Sequence, residues 1–387
     1  MGLARSLQRE LNDFFGQILN CDFDIHAVTK GALTQARQKL KPEAFKELNA
    51  EALRTFYEEA PYSKWRNHRV LAVDSSTLEL PDHPSIQSHF GSQQLGCKAA
   101  ATRSMSRISI LYDVLNLTTL DGEMDAVSVG ERDMLRRHLG NATLLENDLL
   151  LMDRGYPGIA LMMELRHKRI EFCFRLQVGL WSDAKAMIAN NEKDKIVTFR
   201  LHRNDRWRFS EGNIPTDPIE CRLLVIELEN GNKEVLCTSL IDSSKYPYDC
   251  FRELYRHRWQ IEEAFKLFKC SAAIAEFSGK TSHAVLQDFQ AKLFMMTICA
   301  TLCHPIEEKV RQQGKEGRKH YRKINRTNAL GYVKSIWITI FKKRKISTLL
   351  QEMEKLLLST CHIVRPNRWF SRERYKRKSP PMTYKKL

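Results

Sequence analysis

The sequence predicts an α/β protein: a mixed sheet flanked by helices, interrupted by a β-rich insertion, with a helical domain in front and a basic tail behind. Three observations lead there. Between residues 66 and 178, short apolar, β-branched runs alternate with helix-period segments, the order of a sheet covered by helices. From 179 to 246 the pattern changes to short alternating segments separated by Gly, Pro, Asn and Asp, and a helical pattern returns at 247. With 387 residues, 43% of them hydrophobic, the chain can bury cores for two or three domains.

Taken in order, residues 1–65 read as a helical domain. Leu3, Leu7, Leu11, Phe14, Phe15 and Ile18 recur at three- and four-residue spacing, and Pro42 suits the first turn of a later helix. In 66–178, RVLAVDSSTLELP is a core strand running into a loop just before Asp74. Alternation through Ile108, Ile110, Tyr112 and Val114 gives further strands, and 131–145 is helical. NDLLLMDRGYPG is a short buried strand that ends at Asp153 in a Gly/Pro turn. A helix over 158–168 and the strand IEFCFRLQ follow. The β-rich 179–246 contains KIVTFRLH, ECRLLVIELEN and KEVLCTSL. In 247–304, one helix runs from Tyr248 to about Lys269 and an apolar one covers 283–303; residues 305–387 form a basic C-terminal region.

The net charge is +16, and its location matters more than its size. Residues 305–387 hold 23 Lys/Arg and 6 Asp/Glu, so residues 1–304 sum to −1. The tail is either a solvated segment or an arm that grips phosphates and releases counterions. Nucleic acid is the expected partner. A membrane is not: there is no basic amphipathic helix or lipid anchor, and the longest apolar stretch, Leu293 to Cys303, is too short to span. Arg5, Arg9 and Glu10 break up any secretory leader, and ten cysteines without a CxxC pair suit a reducing cytoplasm. Cys299 and Cys303, with His304 beside them, stand at zinc-like spacing, but no second pair follows; their apolar surroundings read as a helix with buried thiols.

Asp74 and Asp153 each follow a buried apolar run. Strand ends are where charged groups of α/β sheets converge, although either aspartate alone is equally a cap or turn residue. Downstream, Tyr255, Arg258, Glu262 and Lys269 are offset by 3, 4 and 7, one stripe of a single helix, with Leu254, Ile261, Phe265 and Phe268 left for the core. Such a stripe alone is also what a solvated face looks like. Together the three elements suit phosphodiester chemistry. Two metals ~4 Å apart can activate a water or 3′-hydroxyl and stabilise the leaving oxygen. Mg²⁺ or Mn²⁺ wants oxygen ligands, and three carboxylates supply them with compensating charge. Arg258 and Lys269 could meet flanking phosphates, and Tyr255 a strand end. Arg154 is a DNA contact or a local ion-pair partner. Glu263 and His257 point off the stripe, and Asp82 lies near the Asp74 segment.

On these residues the chain resembles the DDE insertion-sequence transposases of the IS-four group. AVDSSTLELPD around Asp74, LLLMDRGYPG around Asp153, and the spacing Tyr-x2-Arg-x3-Glu-x6-Lys at Tyr255, Arg258, Glu262 and Lys269, the family's YREK signature, carry the match. Weaker similarity runs from KGALTQARQKL near residue 30 to EFSGKTSHAVLQDFQAKL, so the resemblance covers roughly 25–305. It implies an RNase H-like core with a mostly β insertion. It further implies a triad of Asp74, Asp153 and Glu262 holding two Mg²⁺ or Mn²⁺ ions, with Tyr255, Arg258, Lys269 and Arg154 toward DNA. The implied partners are double-stranded DNA, at transposon ends and target, and a second protomer in the DNA complex; the place is the bacterial cytoplasm, at the nucleoid. Some relatives excise through a hairpin and stack an unpaired base on an aromatic of the insertion. Trp181 and Trp207 are candidates for that or for plain packing. Two other readings remain: an RNase H-like nuclease without strand transfer, and an inactive DNA-binding derivative. The N-terminal helices could bind the element's ends or another protomer.

Overall fold

The computed structural model describes residues 6–20, 27–94, 102–202, 214–228, 231–313, 320–340 and 346–364. Trp207, Arg5 and the tail beyond Val364 lie outside the described residues. The chain begins with α1 (Leu7–Leu19), α2 (Lys30–Lys39) and α3 (Glu43–Glu59). Ser6 and Thr29 cap the first two by accepting the Arg9 and Ala32 amides, which a helix start otherwise leaves unpaired.

Next come β1 (Arg69–Glu79), α4 (Pro84–Phe90), β2 (Ser92–Gln94), β3 (Thr102–Asp113), β4 (Thr118–Ala126), α5 (Glu131–Asn141), β5 (Asp148–Met152), α6 (Ile159–His167) and β6 (Glu171–Arg175). β3 is antiparallel to both β1 and β4, while β1, β5 and β6 run parallel. The order β4-β3-β1-β5-β6, with α5 and α6 as crossovers, is the RNase H-like sheet. Both of its faces are covered. Val70 and Ala72 enter one core while Leu71 and Val73 enter the other, which is why the β1 sequence is apolar at successive positions rather than alternating.

After α7 (Ser182–Ala189), the strands β7 (Asp194–Phe199), β8 (Ile219–Glu227) and β9 (Lys233–Thr238) do not build a layer of their own. β9 pairs antiparallel with β6, and the sheet runs on as β6-β9-β8-β7. The expected single helix from Tyr248 to Lys269 is two: α8 (Cys250–Arg256) and α9 (Trp259–Cys270). At the joint, the His257 and Arg258 amides reach back only three residues, to Leu254 and Tyr255, which tightens the turn without leaving helical backbone angles.

α10 (Ser282–Gln313) is the long helix of the second half. It buries Val285, Phe289, Leu293, Cys299, Cys303 and Ile306, so the two thiols are core residues; His304 lies edge-on to Phe56. Arg37 of α2 reaches Gln287 at 3.0 Å, Asp288 at 3.0 Å and the Ala284 carbonyl at 3.2 Å. The two stretches of weaker family similarity therefore meet in space. β10 (Arg322–Lys323), α11 (Arg326–Ile340), α12 (Ile346–Ser359) and β11 (His362–Ile363) complete the described chain. Among the described residues no helix is long and apolar enough to cross a membrane.

β4 lets α10 approach closely through Gly122. A Cβ there would stand 2.0 Å from Leu293 Cδ1 and 3.4 Å from Phe289, both buried. Gly122→Ala is expected to cost about 1–3 kcal/mol through overpacking. Urea unfolding checks this: the midpoint should fall with little change in slope.

Candidate active site

Arg69 and Asp148 face each other across the parallel pair β1–β5, and the register continues to Ala72 opposite Leu151. Two more residues along each chain bring Asp74 level with Asp153. Strand alternation points both to the side of Ala72 and Leu151, the face covered by α8 and α9. Asp74 is not past its strand, as the sequence suggested. β1 continues to Glu79, paired with β3 alone, because β5 ends at Met152 and leaves that edge of β1 open. The opening is where a charged side chain can leave the core.

Each carboxylate is held differently. The Ser75 amide donates to Asp74 Oδ1 at 2.8 Å. Burial pushes the Asp74 carboxyl up to about 6; the Ser75 amide and Arg258 oppose this, while Glu131 and Glu262 add to it. Asp153 is shifted the other way. Burial works against its charge, but the Arg154 amide, Arg175 and Arg258 together hold it below the usual carboxylate range. Arg175, at the end of β6, bonds Asp153 Oδ1 from Nε at 3.0 Å and Nη2 at 2.7 Å, and its Nη1 donates to Glu234 of β9. Glu262 lies in the first turn of α9 and accepts from Arg258 Nη2 at 3.1 Å.

The stripe that the sequence singled out bears on this cluster at every position. Tyr255 is buried, and its hydroxyl donates to the Met152 carbonyl at 3.1 Å, pinning the end of β5 beside Asp153. Arg258 is 4% exposed, with its guanidinium carbon 4.8 Å from the Trp259 ring centre and its Nε without a hydrogen-bond partner among the described residues. Lys269 Nζ donates to Ser76 Oγ at 2.6 Å, tying α9 to β1 two residues beyond Asp74. Arg154 has its side chain exposed at the rim and its amide on Asp153.

Glu263 is exposed and paired with Lys266, and Asp82 accepts from Gln87. Trp181 is half-buried, edge-on to Phe199. Two charged neighbours went unnoticed in the sequence. Arg175 is a third charge ending a buried apolar strand, the pattern that marked the aspartates. Glu131 opens α5 and accepts the Ser75 hydroxyl, a contact with no local sequence signal.

Among the described residues no three His, Cys, Asp or Glu side chains are gathered tightly enough to hold a metal ion. The donor set nevertheless suits one. Its oxygens are those of a hard cation, and Glu131 and Glu262 both stand near enough to Asp74 to act on its carboxyl, so negative charge gathers on that side. Arg175 and Arg258 balance the other two carboxylates.

Carboxylates and arginines thus gather at the open edge of an RNase H-like sheet. The chain belongs to the transposase DDE domain family, whose model matches residues 65–301. DDE transposases work in DNA transposition and generally use divalent metal ions. The chain is 24% identical over 251 residues to the transposase InsG for insertion sequence element IS4 of Escherichia coli (strain K12). That match covers 62% of this chain and 53% of the relative, so the chain spans about half the relative's length. The cryo-EM structure of a piggyBac transposase synaptic complex with hairpin DNA is similar over 92% of this chain and 78% of that one, with 7% identity and a TM-score of 0.42.

Proposed function

We propose that this chain is a transposase of the IS-four group that cuts DNA at transposon ends and joins the freed 3′-hydroxyls to target DNA. The observation that carries the reading is the placement of Asp74, Asp153 and Glu262 on one face at the open edge of β1, with the remaining YREK residues bonded around them. Asp74, Asp153 and Glu262 would hold two Mg²⁺ or Mn²⁺ ions. When bound, such a pair supplies an activated attacking oxygen and stabilises the leaving one. Tyr255 positions the end of β5, and Arg258 holds Glu262 while offsetting the carboxylate charge. Lys269 and the exposed Arg154 stand at the rim, where flanking phosphates would pass. Two protomers would hold the two DNA ends together.

A strand-transfer assay with pre-cut ends tests the proposal against the nuclease reading. Joined product supports a transposase; cleavage without joining favours the nuclease.

The tail enters through its charge. Residues 365–387 hold 9 Lys/Arg and 1 Asp/Glu. Truncation after Val364 spares α12, whose Met353 and Leu357 are buried. It is expected to weaken DNA binding and to flatten its salt dependence by about 0.9 log unit per lost phosphate contact. An equilibrium titration at several salt concentrations reads both effects.

A further inference from the structure

We propose that Glu131 is a positioning residue: by accepting the Ser75 hydroxyl it holds the strand of Asp74 against the turn that follows Asp153. The inference rests on the catalytic reading above. Glu131 Oε1 takes the Ser75 hydroxyl, while Oε2 lies against Gly155, where even a Cβ would come within 3.2 Å. The next residue, Arg132, donates to the Gly155 carbonyl at 3.3 Å and to the Pro157 carbonyl at 2.7 Å. One helical turn therefore grips β1 and the DRGYPG turn at once.

The helix that carries this turn is itself anchored. Arg107 of β3 donates to the Val129 carbonyl just before α5. His138, seven residues after Glu131 and so on the same face, is fully buried between Asp121, 2.7 Å from its Nδ1, and Ser109, 2.9 Å from its Nε2. Ser109 is the residue of β3 that pairs with Ser75. Ser75 points to the opposite side of the sheet from Asp74, so Glu131 reaches the site from the face opposite to α9. From there it acts through the Ser75 bond and the Gly155 contact, setting where the two aspartates stand relative to each other.

The test uses the full-length protein and Mn²⁺-dependent nicking of a supercoiled plasmid that bears the gene with its genomic flanks. Glu131→Ala and Ser75→Ala are each expected to lower kcat between about tenfold and a hundredfold, the scale of a small misplacement of reacting groups, with KM for the plasmid unchanged. The double variant should be no worse than Glu131→Ala alone, because that variant already lacks the bond that Ser75→Ala removes. Glu131→Gln, whose amide oxygen still accepts the Ser75 hydroxyl, should recover most of the loss. Mn²⁺ affinity of the DNA-free protein, read by electron paramagnetic resonance, should fall and recover in parallel. A Gln variant as impaired as the Ala variant in both readouts overturns the proposal, since the charge and not the hydrogen bond would then be what acts. So does an Ala variant equal to the parent. Asp153→Asn serves as control: nicking that survives it overturns the catalytic reading and this one together, whereas an inactive control with a failed Gln rescue overturns the positioning role alone.

Discussion

Asp153→Asn is expected to lower DNA cleavage on the order of 10³-fold or more, the scale of removing one member of a catalytic unit. The substitution keeps the side chain's size and one oxygen, so the Arg154 amide can still find an acceptor. What it removes is the charge that Arg175 meets at 2.7 Å and that would hold a divalent cation. Glu262→Gln should match it, and the pair of changes should cost scarcely more than one alone, since the carboxylates act as a unit. Folding is affected differently. The Asp153 carboxyl sits below its usual range, so its charge stabilises the native state above the unfolded carboxyl's pKa, and that support is lost as pH falls through the lower native value. The Asn variant should lack this acid-side dependence and remain folded at neutral pH, which circular dichroism checks. Undiminished cleavage by the folded variant would remove Asp153 from the active site.

Asp148→Ala is expected to destabilise the fold by about 3–5 kcal/mol, the cost of stranding a buried charge. Arg69 bonds Asp148 through Nε at 2.7 Å and Nη2 at 2.6 Å, and the two side chains are 3% and 0% exposed. Asp148 also accepts the Leu145 amide at 2.8 Å, and Arg69 donates to the Thr143 carbonyl at 3.0 Å. Urea unfolding measures the loss, and replacing both partners by Leu and Met should recover part of it, because no lone charge then remains. The pair matters to the site as well. It marks the first rung of the β1–β5 register, and five residues further along the chain from each partner stand Asp74, still within β1, and Asp153, just past β5. A one-residue slip would turn one aspartate to the opposite face. A loss below about 1 kcal/mol would show that the pair is solvated and pins nothing.

The sequence carried a large part of this. The apolar runs ending near Asp74 and Asp153 mark buried strands because the hydrophobic effect acts on every residue of a strand covered on both faces. The spacing of Tyr255, Arg258, Glu262 and Lys269 marks one helical side because that period is local. Yet the same spacing is silent about what each side chain does. Tyr255 and Arg258 looked like groups for DNA, and the fold buries both, one on the Met152 carbonyl and the other on Glu262. The segment from 194 to 238 reads as β-rich from its alternation, but that alternation does not say that β9 would pair with β6 and extend the central sheet.

By itself, then, the sequence determined the kinds of element and the sign and location of the excess charge, which follow from composition and short-range periodicity, while the three carboxylates were singled out by their motifs and the family resemblance those carry. Only the tertiary structure decided which groups surround those carboxylates. Arg175 lies 22 residues from Asp153, and Glu131 lies 56 from Ser75. Their encounters are set by strand register and by where a crossover helix begins, and those depend on hydrogen bonding and packing between distant segments, which leave no periodic trace along the chain.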